Sequence, residues 1–243
     1  MPSTETLTYP IEERARVIPG TVLVTGGASG LGAAVAKAVR QAGGTPIVLD
    51  LAAAPEGIDG ETVDLADGRA AEAAIRHAAE RHGGLDAIVT AAGIDACGKL
   101  ADIDPEDWER VIAVNLLGTA ATVRAALPFL QQSGGRIVTV ASTLGLRALS
   151  DASAYCASKF GVVGFSRALA IELAGEVGVT MLVPGGMDTA FFDGRPEQYR
   201  PPEDARLAAP ADVADAVLFA LTRPLGVELR ELVVTPPVEP SWP

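Results

Sequence analysis

Tyr155 and Lys159 stand four residues apart in the stretch "ASAYCASKFG", and on a helix they would lie on one face. Two readings fit that spacing. A phenol, with a pKa near 10, is a poor base at neutral pH, but a nearby ammonium stabilises the phenolate and brings proton transfer within reach. The same spacing suits a half-buried aromatic beside a surface lysine, and the pair alone does not decide. Cys156, between them, points to another face and reads as packing.

A second chemical signal is "VTGGASGLG", which places Gly26, Gly30 and Gly32 in a TGxxxGxG pattern, with Ser29 and Leu31 in the same turn. A diphosphate must come close to the backbone there, and a Cβ would block it. The following helix would offer unpaired N–H groups and a favourable dipole to negative charge. Asp50 follows Gly32 by 18 residues and ends the next apolar run. A carboxylate at that place can accept from both adenosine ribose hydroxyls and would repel a 2′-phosphate. Ser29 and Leu51, which flank the site, are not basic, so the expected cofactor is NAD(H) rather than NADP(H). "TAAG" (90–93) brings Ala91, Ala92 and Gly93 to the same crevice.

These residues need a frame, and the frame is legible as alternation. Short β-branched runs (21–27, 45–50, 61–65, 85–93, 135–142, 178–186 and 229–236) are separated by longer alanine-rich segments (30–44, 67–84, 104–130, 152–175 and 209–223). Acids open and bases close the 67–84 segment, and Asp104 with Pro105 makes a helix start. The pattern predicts right-handed βαβ crossovers and an α/β fold: a doubly wound, Rossmann-type, seven-stranded, mostly parallel sheet with helices on both faces. Residues 17–236 are expected to form a single NAD-binding domain, preceded by a polar extension (1–16) and followed by an irregular proline-rich tail (237–243).

Of the 243 residues, 49% are hydrophobic and 21% charged, and 31 acids against 19 bases give a net charge of −12. That balance argues against nucleic acid or an anionic membrane surface as partner. Residues 1–16 lack the apolar core of a signal peptide, and a run of about 18 apolar residues is missing, so the expectation is a cytoplasmic protein without a membrane span. Cys97 and Cys156 make neither a disulfide framework nor a metal cluster, and His77 and His82 are wrongly spaced for two ligands on one face; a metal is not expected.

With "TGGASGLG", "VNLLG", a serine ending the fifth strand and "YCASK" in this order, the sequence resembles the classical short-chain dehydrogenase/reductase family over about residues 20–236. The resemblance implies that Tyr155 is the general acid/base and that Ser142, 13 residues earlier, hydrogen-bonds the substrate carbonyl or hydroxyl. It implies that Lys159 binds the nicotinamide ribose and lowers the tyrosine pKa, and that Asn115 anchors a water and the lysine in a proton relay. Asp64 and Leu65 resemble the adenine-contacting pair; Pro184, Gly185 and Thr189 resemble the segment that holds the carboxamide end of the nicotinamide. Family members commonly assemble as dimers or tetramers through the two long helices and the last helix and strand, so a homo-oligomer is implied. One departure is "TAAG" in place of the usual NNAG: a threonine hydroxyl replaces asparagine, and the polar bracing is expected to be reduced.

The leading expectation is NAD-dependent interconversion of a secondary alcohol and a ketone on a small or medium, fairly apolar small-molecule substrate. Ile94, Leu144, Leu149, Met187, Phe191 and Phe192 would line its pocket; Asp95 and Arg147 could supply polar contacts there, but read first as loop surface. Alternatives are the same site used for biosynthetic tailoring of a polyketide-, sugar- or steroid-like substrate, and a nucleotide-sensing binding protein without turnover.

Overall fold

A computed structural model describes residues 17–224 and 226–242; the expected polar extension at 1–16 lies outside the described residues. Seven strands form one sheet: β1 (Thr21–Thr25), β2 (Thr45–Asp50), β3 (Asp59–Thr62), β4 (Ala87–Thr90), β5 (Arg136–Val140), β6 (Gly178–Pro184) and β7 (Glu231–Val234). Their order is β3-β2-β1-β4-β5-β6-β7, and where the sequence predicts a mostly parallel sheet, all six pairings are parallel. The strand order reverses between β1 and β4, and the crevice there is the place where such sheets bind nucleotides.

Among the described residues six α-helices cover the sheet: α1 (Gly30–Gln41), α2 (Gly68–Arg81), α3 (Pro105–Ile112), α4 (Thr119–Ser133), α5 (Ser153–Glu172) and α6 (Pro210–Leu221). Val35 and Val39 of α1 and Val213 and Val217 of α6 bury one face of the sheet. Ile75 of α2, Ala125 and Leu130 of α4 and Leu169 of α5 bury the other. The strands are apolar on both sides because both sides are covered, which gives a Rossmann-like α/β fold. Asp67 caps α2 by accepting from Arg69 N and Ala70 N, and Asp104 caps α3 by accepting from Glu106 N.

Besides β4, read over 85–93 and confined to Ala87–Thr90, two elements differ from expectation. The third strand lies at Asp59–Thr62 rather than 61–65, because it pairs residue for residue with Ile47–Asp50 and stops where β2 stops. Val63 N then donates to Asp50 O at 2.8 Å, and the chain turns into the crevice with Asp64 and Leu65. The helix read as continuous over 104–130 is interrupted: a π-helical turn, Ala113–Gly118, separates α3 from α4, and α4 runs on to Ser133. The combined run Pro105–Ser133 is long and apolar enough to cross a membrane by length and composition, but Val111, Val123 and Leu130 bury it against the body of the protein.

Candidate active site

The glycines of the β1–α1 turn let its backbone pack closely against its neighbours. Gly26 has φ 68°, and a Cβ there would stand 2.6 Å from Ala92 Cα; a Cβ on Gly32 would collide with Gly26 O. Ser29, at the N-cap of α1, makes no side-chain hydrogen bond to the first turn, so the helix start is not closed off by its own cap. Leu31 is buried in the α1–sheet core. The uncapped amides of this helix start fit the diphosphate of a nicotinamide dinucleotide.

Asp50 ends β2 at the rim of this turn. Its carboxylate accepts from Ala28 N at 2.9 Å and Ala52 N at 3.0 Å, so it braces the glycine turn as well as facing the crevice. Leu51, beside it, is exposed. Asp64 accepts from Ala66 N at 2.9 Å and from Arg110 at 3.0 Å, and these partners hold its carboxyl below the usual range. Both of its oxygens are thus engaged within the protein, while Leu65 is buried under Gly118.

The "TAAG" segment behaves differently from expectation. Thr90 Oγ1 is buried without a partner, so it supplies no brace; the hydroxyl that reaches the loop is Thr25 Oγ1, which accepts from Ala92 N at 3.4 Å. Gly93 lies between two site residues: a Cβ on it would stand 3.6 Å from both Asn115 Oδ1 and Lys159 Nζ.

Asn115 projects from the π-helical turn, fully buried, and clips the loop after β4 on both sides of one residue. Its Oδ1 accepts from Ile94 N at 2.8 Å and its Nδ2 donates to Ile94 O at 2.9 Å. Nδ2 also donates to Ser158 Oγ at 3.0 Å, and Ser158 donates to Tyr155 O at 2.8 Å. Ser158 is a site residue that the sequence reading missed, although it stands inside the "YCASK" motif.

Ser142 follows β5 in extended conformation, and its Oγ accepts from Leu144 N at 3.1 Å, which fixes a short 3-10 turn, Thr143–Gly145. The turn into α5 is set by Asp151, whose φ of 61° is a left-handed conformation that aspartate tolerates better than most residues. One turn into α5, Tyr155 lies half-buried with its ring 5.6 Å from that of Phe191. Burial pushes its phenol up to about 12; a hydrogen bond with Ser142 pulls the other way, and Asp95 adds to the rise. Lys159 is buried, donates from Nζ to Val140 O at 2.8 Å and lies 5.7 Å from the tyrosine ring centroid. Burial lowers its ammonium to about 8. The expected lowering of the tyrosine pKa by this ammonium is therefore not the balance in this structure, where desolvation of both groups dominates.

Pro184 ends β6, and Gly185 N donates to Val234 O at 3.0 Å. Thr189 caps the 3-10 turn Ala190–Phe192 and reaches across the crevice: its Cγ2 is 3.5 Å from the Cβ position of Gly30. The segment beyond it folds over Tyr155. Arg195, whose guanidinium stacks within 4.8 Å of the Phe191 and 4.7 Å of the Phe192 ring centroids, donates to Asp95 Oδ2 at 2.7 Å. Asp95, read from sequence as loop surface, has a side chain only 8% exposed, and Cys97 donates to it at 3.2 Å. The space above Tyr155 is thus bounded by two phenylalanines and a buried ion pair, more polar than the expected apolar lining. Leu149 is largely exposed, and Arg147 is drawn to the tail, donating to Pro240 O at 3.1 Å.

A family model described as short chain dehydrogenase matches residues 20–200. An uncharacterized oxidoreductase of Staphylococcus aureus strain MW2 is 34% identical over 226 residues, covering 88% of this chain and 96% of its own. The D-beta-hydroxybutyrate dehydrogenase of Cupriavidus necator is 39% identical over 192 residues, covering 73% and 74%. Among solved structures, the aldohexose dehydrogenase of Thermoplasma acidophilum superposes with a TM-score of 0.79 at 25% identity over 90% of this chain and 96% of that one. An alcohol dehydrogenase of Thermococcus sibiricus complexed with 5-hydroxy-NADP gives the same TM-score and identity over 88% and 95%.

Proposed function

The chain belongs to the short-chain dehydrogenase family of oxidoreductases, and from that premise we propose that it interconverts a secondary alcohol and a ketone with NAD(H), using Tyr155 as general acid/base. The observation that carries the reading is a convergence: Ser142 from the end of β5, Tyr155 and Lys159 from α5 and Gly93 from the end of β4 meet at the strand-order reversal, opposite the glycine turn.

The nicotinamide, when bound, supplies hydride acceptance and donation. Gly26, Gly30 and Gly32 would receive its diphosphate, Asp50 the adenosine ribose, and Pro184, Gly185 and Thr189 the carboxamide end. In oxidation Tyr155 takes the hydroxyl proton at its phenolic oxygen; in reduction it returns a proton to the carbonyl oxygen. Ser142 holds the reacting oxygen by a hydrogen bond, and the Lys159 ammonium lowers the cost of phenolate. Asn115 holds the loop that carries Gly93 against Lys159. Acid–base catalysis of this kind contributes roughly 10²–10⁴-fold. Tyr155→Phe should lose that factor in turnover and keep NADH affinity, measured by nicotinamide fluorescence; turnover near the parent level would remove Tyr155 from the mechanism.

The preference for NAD(H) rests on the Asp50 carboxylate. Asp50→Asn keeps an acceptor for Ala28 N and removes the charge, so NADPH affinity should rise relative to NADH in paired titrations. Parent protein that binds NADPH as tightly as NADH would contradict the assignment. The names of the relatives favour small hydroxylated substrates, and the Asp95–Arg195 pair beside Phe191 and Phe192 suits a substrate with one apolar and one polar end. We also propose a cytoplasmic homo-oligomer acting on a small molecule, with residues 17–236 as one domain.

A further inference from the structure

The tail after β7, read from sequence as irregular, is tied to the active-site walls at three places. The Glu239 carboxylate accepts from Gly186 N at 2.7 Å, in the segment between β6 and Thr189. It also accepts from Ser241 N at 3.1 Å and Ser241 Oγ at 2.6 Å. Ser241 Oγ shares a hydrogen bond of 2.6 Å with Thr143 Oγ1, next to Ser142. Arg147, at the far side of the same 3-10 turn, donates to Pro240 O and, at 3.4 Å, to Trp242 O. A Cβ on Gly185 would collide with the Glu239 carboxylate, so the first glycine of "PGG" leaves room for this acid whatever else it serves. Burial works against the Glu239 charge, but the bonds from Ser241 and Gly186 outweigh it and hold the carboxyl below its usual range.

We propose that Glu239 is a positioning residue: through Gly186 on one side and Ser241 and Thr143 on the other, it locks the segment that carries Thr189 to the turn that carries Ser142. The proposal rests on the functional reading above, in which Thr189 faces the cofactor and Ser142 the reacting oxygen. The two walls come from separate strands, β6 and β5, and β-sheet pairing ends before either residue. A charged acceptor shared by a backbone amide and a hydroxyl is the kind of bond that holds such loops in one arrangement. A site whose competent arrangement is populated only part of the time binds its ligand more weakly by that fraction.

The test compares the full chain with Glu239→Ala, Glu239→Gln and Ser241→Ala, using amide hydrogen exchange by mass spectrometry and NADH fluorescence titration. Glu239→Ala should speed exchange over 142–147 and 184–189 while leaving the β1–α1 turn unchanged. It should raise the NADH dissociation constant roughly 2- to 10-fold, the shift carried by one net hydrogen bond. Glu239→Gln, which keeps an acceptor for Gly186 N, should restore most of both. Ser241→Ala should speed exchange in 142–147 alone, which provides a second route should Glu239→Ala fail to fold. Unchanged exchange in the Glu239 and Ser241 variants would overturn the proposal. Faster exchange with unaltered NADH affinity would also overturn it, since the tail would then brace the fold without positioning the site. Failure of the unsubstituted chain to bind NADH would be the failure of the functional reading itself, and it is distinguished by needing no substitution.

Discussion

Lys159 holds its ammonium in a place that disfavours charge, with Val140 O as its one protein partner among the described residues. That has a consequence for stability. The unfolded chain keeps the lysine proton up to its ordinary 10.5, while the folded protein releases it near 8, so between those values the unfolded state binds more protons. The contribution of this residue to stability therefore rises with pH across that window, by up to about 3 kcal/mol, and below it the folded state bears the whole cost of the buried charge. Urea unfolding at pH 7.5 and 9.5 should show the parent gaining on Lys159→Met; parallel changes in the two would refute it. That Asn115, Ser142, Tyr155 and Lys159 lie near one another was expected from the order of the motifs along the chain, since the Tyr155–Lys159 spacing alone did not decide, and the structure brings Lys159 to the end of β5 and to Gly93 beside Asn115. The direction of the phenol shift was not legible in sequence, because it follows from what covers Tyr155: Phe191 and the Asp95–Arg195 pair come from segments far from it in the chain. The Thr90 hydroxyl was likewise expected to brace the loop and is left unpaired, since which hydroxyl reaches Ala92 depends on β1 and β4 lying side by side.

Among the elements, helix starts were read well from Asp67, Asp104 and Pro105, whose caps act over two or three residues. The π-helical turn at Ala113–Gly118 escaped notice because its sequence, AVNLLG, holds no proline to mark a break. Its effect is specific: a wider turn places Asn115 over Ile94, where an unbroken helix would place that side chain elsewhere. The segment that covers Tyr155 is tied to the loop after β4 by a buried ion pair across 100 residues, Arg195 with Asp95, and to the turn before α5 by Tyr199 Oη, which donates to Asp151 Oδ2 at 3.3 Å. Removing one partner of such a pair leaves the other charge uncompensated and costs about 3–5 kcal/mol locally. Arg195→Ala and Asp95→Ala should each speed proteolytic cleavage within 190–206, and the double variant should cleave no faster than either alone. Additive effects would mean that the two side chains hold the segment independently.

For the molecule as a whole, the alternation of strands and helices sufficed to give the sheet, because each βα unit must cover its own strand faces. What alternation leaves open is which outer face would receive another copy of the chain in the proposed assembly. On α5, Ala157, Phe160, Gly164, Ala168 and Ile171 form an exposed stripe, with Phe160 46% and Ile171 79% exposed. Leaving such a stripe in water is unfavourable, and it supports the proposed assembly. Phe160→Asp should lower the mass measured by light scattering from that of an oligomer to that of a single chain; an unchanged mass would move the interface elsewhere. The tie between Glu239 and Gly186 also orders events in time. During synthesis the strands β1 to β6 and the glycine turn are made well before residue 239 has been added. The six strands that frame the crevice are thus made early, but the wall beside Thr189 is fastened only once residue 239 has been added.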